Sequence, residues 1–226
     1  MPTKTQSTPA AVFFDLDGTL IDTAPDMGGA LNRMLTRRKR ATVSPEDYRS
    51  SVSHGSIALL KLGFPELDPD TDMHDLRLEF LATYAEDVSG GSHLFPGAGE
   101  LLDTLDQNSL PWGIITNKPE APTLKLLDAL NLKNRACSIV GADTTTHAKP
   151  HPAPMRLACK RASVEPAKCF YVGDAERDIA AGRAVEMQTF VAGWGYIDSR
   201  TDDTTTWGAD KHLLQPTDLL EHIEFA

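Results

Sequence analysis

Residues 11–23 read AVFFDLDGTLIDT, a run of four apolar residues that leads directly into two aspartates and a glycine. A short run in which every residue is apolar is typical of a strand buried on both faces of a parallel sheet. Asp15 and Asp17 follow where the strand gives way to a turn, so both carboxylates can face one point, and Gly18 allows a tight turn. The stretch therefore predicts a buried strand with a functional pair of carboxylates at its carboxyl end.

Four further apolar runs predict the other strands of the same sheet: residues 112–115, 137–141, 169–172 and 189–192. Segments with helical periodicity lie between most of them. Strands that are apolar throughout and alternate with helices indicate a parallel sheet covered on both faces. The expected fold class is therefore α/β, a doubly wound parallel sheet.

The first and second predicted strands are separated by residues 15–111, a segment too long for a simple crossover helix. The pattern of this segment is helical in four places: residues 27–38, 45–51, 56–62 and 73–87. We therefore expect residues 25–91 to form an all-helical cap domain inserted into a core domain, which consists of residues 11–24 and 92–226.

The composition is that of a folded and strongly acidic protein. The 226 residues include 22 Lys and Arg against 32 Asp and Glu, for a net charge of −10. A surface of this sign repels phosphate backbones and anionic lipids, so we expect no nucleic acid and no membrane as a partner. The basic run at residues 36–40 is either a solvated helix end or a patch that steers an anion toward the site.

The cellular compartment is indicated by what the sequence lacks. Residues 1–10 have no apolar centre of a secretory signal, and no apolar run approaches the ~20 residues of a membrane span. Cys137, Cys159 and Cys169 form no CxxC pair, which favours reduced and packed thiols. We expect a cytoplasmic protein that is a monomer or a homodimer.

Polar residues follow three of the other predicted strands. They are, in the order of the strands, Thr116 with Asn117, then Lys149, then Asp174 with Asp178. Groups at the carboxyl ends of parallel strands converge on one crevice. There they would supply carboxylates for a divalent metal, a hydroxyl and amides for anionic oxygens, and a cation that offsets their charge.

The order and spacing of these motifs resemble those of phosphatases of the haloacid dehalogenase superfamily, with DxDGT from residue 15, TN at 116, KP at 149 and GDxxxD from 173. The resemblance covers the whole core and implies a Rossmann-like core domain with its helical cap inserted where this family has one. Four stretches are similar to bacterial phosphoglycolate phosphatases and closest to N-acetylmuramic acid 6-phosphate phosphatases: LRLEFL at 76–81, GIITNKP at 113–119, YVGDAERDIAAG at 171–182 and WGAD at 207–210.

The resemblance implies a role for each motif residue. Asp15 would be the nucleophile that becomes phosphorylated, and Asp17 the general acid and then the general base. Mg²⁺ would be held by the carboxylates of Asp15 and Asp174 and by the main-chain carbonyl of Asp17. Asp178 would orient the water shell of the metal or the side chain of Lys149.

Other residues would contact the substrate. Thr116 and the main-chain amide of Asn117 would bind phosphoryl oxygens, while Lys149 would stabilise the charge that builds on them. The cap loop would face the substrate through three residues, Ser53, His54 and Gly55. Ser53 is equally suited to cap a helix.

The implied function is Mg²⁺-dependent hydrolysis of a small phosphate monoester, either 2-phosphoglycolate or a sugar-acid phosphate such as N-acetylmuramate 6-phosphate. A sugar phosphomutase of the same fold and a non-catalytic binding relative are the alternatives. The binding relative is disfavoured because all the residues of the chemistry are present, namely Asp15, Asp17, Lys149 and Asp174.

Two places outside the motifs carry further expectations. Glu186 stands where this family usually has glycine in a left-handed turn, and keeping that turn would cost about 1 kcal/mol. Trp194, Gly195 and Tyr196 follow the fifth predicted strand and are expected to pack in the core or at its rim, with a contact near the site as the alternative.

Overall fold

The computed structural model describes residues 7–67 and 73–225. Residues 1–6, part of the segment in which the sequence shows no secretory signal, lie outside the described residues. The strands and α-helices are, in chain order, β1 (Ala11–Phe14), β2 (Ile21–Asp22), α1 (Ala24–Arg37), α2 (Pro45–Val52), α3 (Gly55–Gly63), α4 (Met73–Glu86), β3 (His93–Leu94), α5 (Ala98–Gln107), β4 (Trp112–Ile115), α6 (Glu120–Ala129), β5 (Ile139–Val140), α7 (Ala153–Ala162), β6 (Cys169–Gly173), α8 (Glu176–Arg183), β7 (Gln188–Ala192) and β8 (Lys211–Leu213).

β1 lies in the interior of a six-stranded parallel sheet whose order is β5-β4-β1-β6-β7-β8. It pairs with β4 on one side and β6 on the other, so that Phe14 lies opposite both Ile114 and Val172. The carboxyl ends of β4, β1 and β6 therefore lie side by side, which brings the residues that follow these strands to one edge of the sheet.

The two faces of the sheet pack against different helices, as a doubly wound fold requires. Val12 and Phe14 belong to a hydrophobic cluster with residues of α1, α5 and α6, whereas Ala11 and Phe13 belong to one with residues of α7 and α8. Successive residues of a strand face opposite sides, so the uniformly apolar sequence of β1 serves both clusters. The predicted α/β fold class is confirmed. In the part of the chain that the structure describes, no helix combines the length and apolar character needed to cross a bilayer.

Four of the five predicted strands are found within one residue of their predicted bounds. The third is shorter, because only Ile139–Val140 pairs with β4.

Cys137 lies before this short strand and is exposed, so the prediction of a packed thiol was wrong there, while Cys159 and Cys169 are buried. β8 was not predicted, because it is an edge strand with only one buried residue and has no apolar run.

The helices α1 to α4 pack against one another between β2 and β3. β2 and β3 form a short antiparallel ribbon where the chain leaves the core and returns to it. The buried carboxylate of Asp26 ties these two crossings together, since it accepts hydrogen bonds from the N–H groups of Gly91 and Ser92 at 2.8 and 2.7 Å. The cap is therefore helical as predicted, while the bounds of the two domains stay predictions.

The basic run at residues 36–40 ends α1 on the surface of the cap. Its arginines pair with glutamates of the same cap: Arg37 with Glu86, Arg38 with Glu79 and Arg40 with Glu66. Exposed pairs of this kind add little to stability, because water and salt screen the attraction. The pairing favours the interpretation of this run as a solvated helix end.

α8 ends in a left-handed turn at Glu186, where φ is 64°. The N–H of Met187 donates to the carbonyl of Gly182 at 3.0 Å. The N–H of Glu186 donates to the carbonyl of Arg183, also at 3.0 Å. These two bonds are the closing pattern of a helix that ends in the left-handed region, so the turn is kept although the side chain at this position is crowded by its own backbone.

Replacing Glu186 by glycine tests the cost of this turn. Glu186→Gly should raise the free energy of unfolding by up to about 1 kcal/mol, because glycine reaches positive φ without a Cβ. The matched control is Ala184→Gly, which is also exposed but has a φ of −65° and should lose about 0.5–1 kcal/mol. Urea unfolding followed by circular dichroism measures both, and a change of the same sign in the two variants would contradict the expectation.

Candidate active site

Lys149 is a buried cation that lies between two buried carboxylates. Its Nζ is 2.9 Å from Oδ1 of Asp15 and 2.6 Å from Oδ1 of Asp178. It also donates hydrogen bonds to the carbonyl of Ile115 at 2.8 Å and to the hydroxyl of Tyr171 at 2.9 Å. Because an unpaired charge at this depth would be very costly, these partners hold the ammonium group in one position.

The side chain of Asn117 holds the backbone at Lys149. Its Nδ2 donates to the carbonyl of Lys149 and its Oδ1 accepts from the N–H, both at 2.9 Å. Thr116 is buried, and its hydroxyl accepts from the N–H of Lys118 at 3.1 Å. The turn after β4 thus positions the cation that follows β5, while the contacts of Thr116 and Asn117 with phosphoryl oxygens remain predictions.

Asp174 directly follows β6 and accepts hydrogen bonds from three separate parts of the chain. Its Oδ1 accepts from the hydroxyl of Thr19 at 3.1 Å. Its Oδ2 accepts from the hydroxyl of Ser53 at 2.6 Å and from the N–H of Tyr196 at 3.0 Å. Tyr196 packs in the core as expected, and its N–H also makes the contact near the site that the sequence left as the alternative. Gly18 is required beside this carboxylate, since a Cβ there would lie 2.2 Å from Oδ2 of Asp174.

Three carboxylates crowd together at this edge of the sheet. One oxygen each from Asp15, Asp174 and Asp178 lie within 4.8 Å of one another, and all three residues are buried. Burial, together with the negative charges of Asp15 and Asp178, raises the pKa of Asp174 to about 7. Burial and the charge of Asp15 also raise the pKa of Asp178. Lys149 offsets only part of this charge, so the donor set fits a hard divalent cation bound by oxygen ligands.

Asp17 lies beside this cluster, and its carboxylate has a different set of partners. Its Oδ1 accepts from the hydroxyl of Thr23 at 2.6 Å and lies 3.0 Å from Nζ of Lys118. Burial alone would lower the pKa of Lys118. The nearby Asp17 and Tyr84 have a larger and opposite effect, so the pKa of Lys118 is raised. No sequence pattern singled out Lys118, although a cation directly after the second motif is a visible signal. The main-chain carbonyl of Asp17 as a metal ligand stays a prediction.

The loop between α2 and α3 brings the cap to the site. α3 begins at Gly55 with His54 in the N-cap position, so the alternative in which Ser53 caps this helix is wrong. Instead, the hydroxyl of Ser53 donates to Asp174, and its carbonyl accepts from Nη2 of Arg177 at 2.6 Å. Ser53 therefore anchors the cap on the carboxylate cluster of the core.

A pocket of about 340 Å³ lies between the cap and the core. The predicted site residues that line it are Asp15, Asp17, Ser53, His54, Gly55, Thr116 and Asn117. Lys149, Asp174 and Asp178 lie behind this lining, in contact with it or with one another. The structure thus brings all the predicted site residues together. The lining also includes charged residues that no motif indicated, namely Lys118, Arg177 and Arg77.

This fold and site define the chain as an α/β enzyme with a helical cap. Comparison with known proteins gives the same class. Residues 12–192 match the family described as haloacid dehalogenase-like hydrolase. The chain is 42% identical over 208 residues to a phosphoglycolate phosphatase of Xylella fastidiosa, covering 92% of this chain and 90% of that protein. It is 38% identical over 217 residues to an N-acetylmuramic acid 6-phosphate phosphatase of Pseudomonas putida, covering 96% of each.

Solved structures show the same fold. A hydrolase from Pseudomonas syringae has a TM-score of 0.71 and 28% identity, over 95% of this chain and 97% of that one. A predicted phosphoglycolate phosphatase from Haemophilus somnus has a TM-score of 0.81 over 98% and 99% of the two chains, and its 23% identity supports the fold alone. The chain therefore belongs to the haloacid dehalogenase-like hydrolases, and the resemblance read from its motifs is confirmed.

Removing the buried cation tests the electrostatic account of the site. Without divalent metal, Lys149→Met should lower the free energy of unfolding by about 3–5 kcal/mol, because Asp15 and Asp178 then remain buried without their partner. The double variant Lys149→Met/Asp178→Asn should recover part of this loss. The control Lys160→Met changes an exposed lysine of α7 and should stay within about 0.5 kcal/mol of wild type. Urea unfolding in EDTA measures all four proteins, and a loss below about 1 kcal/mol in the single variant would contradict this account.

Proposed function

We propose that the protein is a Mg²⁺-dependent phosphatase that hydrolyses a small phosphate monoester through a phospho-aspartate intermediate. The observation that carries the proposal is a pair of carboxylates that share one pocket but have different partners. Oδ1 of Asp15 is held by Lys149 at 2.9 Å and by the N–H of Leu16 at 2.7 Å, which leaves Oδ2 for attack on phosphorus. Asp17 lines the same pocket and is available for proton transfer.

The proposed reaction has two steps, each with its own proton transfer. In the first, Oδ2 of Asp15 attacks phosphorus and the bond from phosphorus to the ester oxygen breaks, while Asp17 gives a proton to that oxygen. In the second, water attacks the phosphorus of the phospho-aspartate and gives a proton to Asp17. Inorganic phosphate leaves and the carboxylate of Asp15 is restored. Lys149 stays beside Asp15 throughout and offsets the charge of the phosphoryl group.

The carboxylates of Asp15 and Asp174, with Asp178 beside them, would hold Mg²⁺. When bound, the ion supplies positive charge against the repulsion between a carboxylate nucleophile and a phosphate dianion. This repulsion is large here because the buried aspartates belong to a protein with a net charge of −10. The crowded and buried carboxylates described above support this part of the proposal.

The main test is phosphate release from p-nitrophenyl phosphate. Release should require Mg²⁺ and stop in EDTA. Asp15→Asn should lower turnover at least about a hundredfold, because an amide keeps the shape of the carboxylate but is a poor nucleophile. Asp128→Asn, which changes an exposed aspartate of α6, is the matched control and should keep full activity.

Three outcomes would contradict the proposal. Activity of more than a few per cent in a deamidation-free Asp15→Asn preparation would exclude this nucleophile. Transfer of phosphate between positions of a sugar without net release would favour the phosphomutase alternative. Binding of phosphate esters without turnover would favour the non-catalytic relative.

The pocket favours a sugar-acid phosphate as the substrate. Its cap side is lined by two apolar side chains, Ile57 and Leu81, and Ile57 is 42% exposed. The two-carbon leaving group of 2-phosphoglycolate would leave this wall uncovered, whereas a sugar ring would cover it. Arg77 of the cap helix α4 also lines the pocket, is exposed, and makes no ion pair with another described residue, so it is available to bind a carboxylate.

The names of the relatives support both candidate substrates. The Pseudomonas putida relative is named for N-acetylmuramic acid 6-phosphate, which carries a sugar ring and a carboxylate. The Xylella fastidiosa relative is named for phosphoglycolate, and 2-phosphoglycolate is therefore the second candidate. The size and lining of the pocket decide our preference for the first.

Three substrates separate these candidates. N-acetylmuramate 6-phosphate should have a higher kcat/KM than 2-phosphoglycolate. It should also have a higher kcat/KM than N-acetylglucosamine 6-phosphate, which lacks the carboxylate. Arg77→Met should lower kcat/KM about 10- to 100-fold for N-acetylmuramate 6-phosphate but at most about twofold for N-acetylglucosamine 6-phosphate, because only the first offers a charge to pair. Arg156→Met, an exposed arginine of α7 outside the pocket, is the control. Preference for 2-phosphoglycolate, or equal losses on both sugars, would contradict this assignment.

A further inference from the structure

Lys118 is a second buried cation of the site and has no part in the chemistry described so far. It follows Asn117 in the turn after β4, next to the turn after β1 that carries Asp17. Its side chain is 5% exposed, and its Nζ lies 3.0 Å from Oδ1 of Asp17. A buried ammonium group must be paired, and Asp17 is the carboxylate with which Lys118 forms its ion pair.

The other partners of Lys118 come from the cap. Nζ lies 4.4 Å from the centroid of the Tyr84 ring, which belongs to α4. It also lies 3.8 Å from Sδ of Met27, which belongs to α1. An aromatic face attracts a cation more strongly when water is excluded. One ammonium group therefore contacts both an acidic residue of the core and two helices of the cap.

These contacts limit the freedom of the Asp17 side chain. Oδ1 of Asp17 receives two donors, the hydroxyl of Thr23 at 2.6 Å and Nζ of Lys118 at 3.0 Å. With one oxygen held on two sides, only Oδ2 remains for proton exchange with a ligand. A carboxylate that gives and then takes a proton needs this kind of fixed direction, since proton transfer depends first on geometry.

We propose that Lys118 is a positioning residue that holds Asp17 in the orientation for proton transfer while the cap is closed, because Tyr84 and Met27 hold the ammonium group from the cap side. The inference rests on the proposed phosphatase function and adds a link between the position of the cap and acid–base catalysis. A purely structural ion pair would stabilise the protein without affecting one leaving group more than another.

Two leaving groups separate positioning from structure. p-Nitrophenolate leaves without a proton, whereas the alkoxide of an alkyl phosphate needs one from Asp17. The alkyl substrate is N-acetylmuramate 6-phosphate or 2-phosphoglycolate, whichever the wild-type protein hydrolyses faster. The measurement is the rate of leaving-group release in the first turnover, with Mg²⁺ present, together with KM.

Lys118→Met should slow release of the alkyl leaving group about a hundredfold, while release of p-nitrophenolate falls less than about fivefold and KM changes little. Lys118→Arg keeps the charge and should restore part of the alkyl rate. Lys125→Met is the matched control, because Lys125 also joins core to cap, through the carbonyl of Ala85 at 2.5 Å, but does not contact Asp17. It should change both rates equally or not at all.

A second variant keeps the test informative if Lys118→Met does not fold. Tyr84→Leu removes the ring beside Nζ of Lys118 and leaves Asp17 unchanged. It should also slow release of the alkyl leaving group more than release of p-nitrophenolate, but by a smaller factor than Lys118→Met. Equal losses on both substrates with a raised KM would overturn the inference and make Lys118 a phosphate-binding residue. Unchanged rates on both would also overturn it. A wild-type protein inactive on every substrate would overturn the proposed function and this inference with it.

Discussion

The buried contact of Lys149 with the carboxylates of Asp15 and Asp178 is the interaction on which the rest of the site depends. Without this cation, the buried aspartates at the edge of the sheet would repel one another, and the cost of removing them from water would oppose folding. The position of Lys149 depends in turn on the side chain of Asn117 and the carbonyl of Ile115, both from the end of β4 or the turn after it. The order of the strands therefore matters to the electrostatics, because β4, β1 and β6 must be neighbours for these groups to meet.

The cap completes the site through contacts of two kinds. The hydroxyl of Ser53 binds the carboxylate of Asp174, and the ring of Tyr84 lies against the ammonium group of Lys118. Both contacts set a group of the cap directly against a charged group of the core. Excluding water strengthens every electrostatic interaction inside the pocket, and in the proposed function it would also protect a phospho-aspartate on Asp15 from premature contact with solvent.

The core and the cap line different sides of the pocket. In the proposed function, the residues of the core act on a phosphoryl group that every phosphate monoester shares, whereas Ile57, Arg77 and Leu81 line the cap side of the pocket. Relatives can therefore resemble this chain along nearly their whole length and still be named for different substrates, as the Xylella fastidiosa and Pseudomonas putida proteins are. In the proposed function, the choice between phosphoglycolate and a sugar-acid phosphate would depend on a few cap side chains.

The sequence by itself determined the features that depend on local pattern. β1 was predicted at its observed bounds because adjacent apolar residues require burial on both faces of a sheet, and the motif residues converge because parallel strands end at one edge. It did not reveal β8, which has little apolar character, nor the partners of Lys118 and Ser53. Ser53 and Asp174 lie 121 positions apart, so their contact depends on how the cap packs on the core. Only the tertiary structure decided these pairs, because the direction of a side chain and the docking of two layers result from packing over the whole molecule and are not encoded in any single segment.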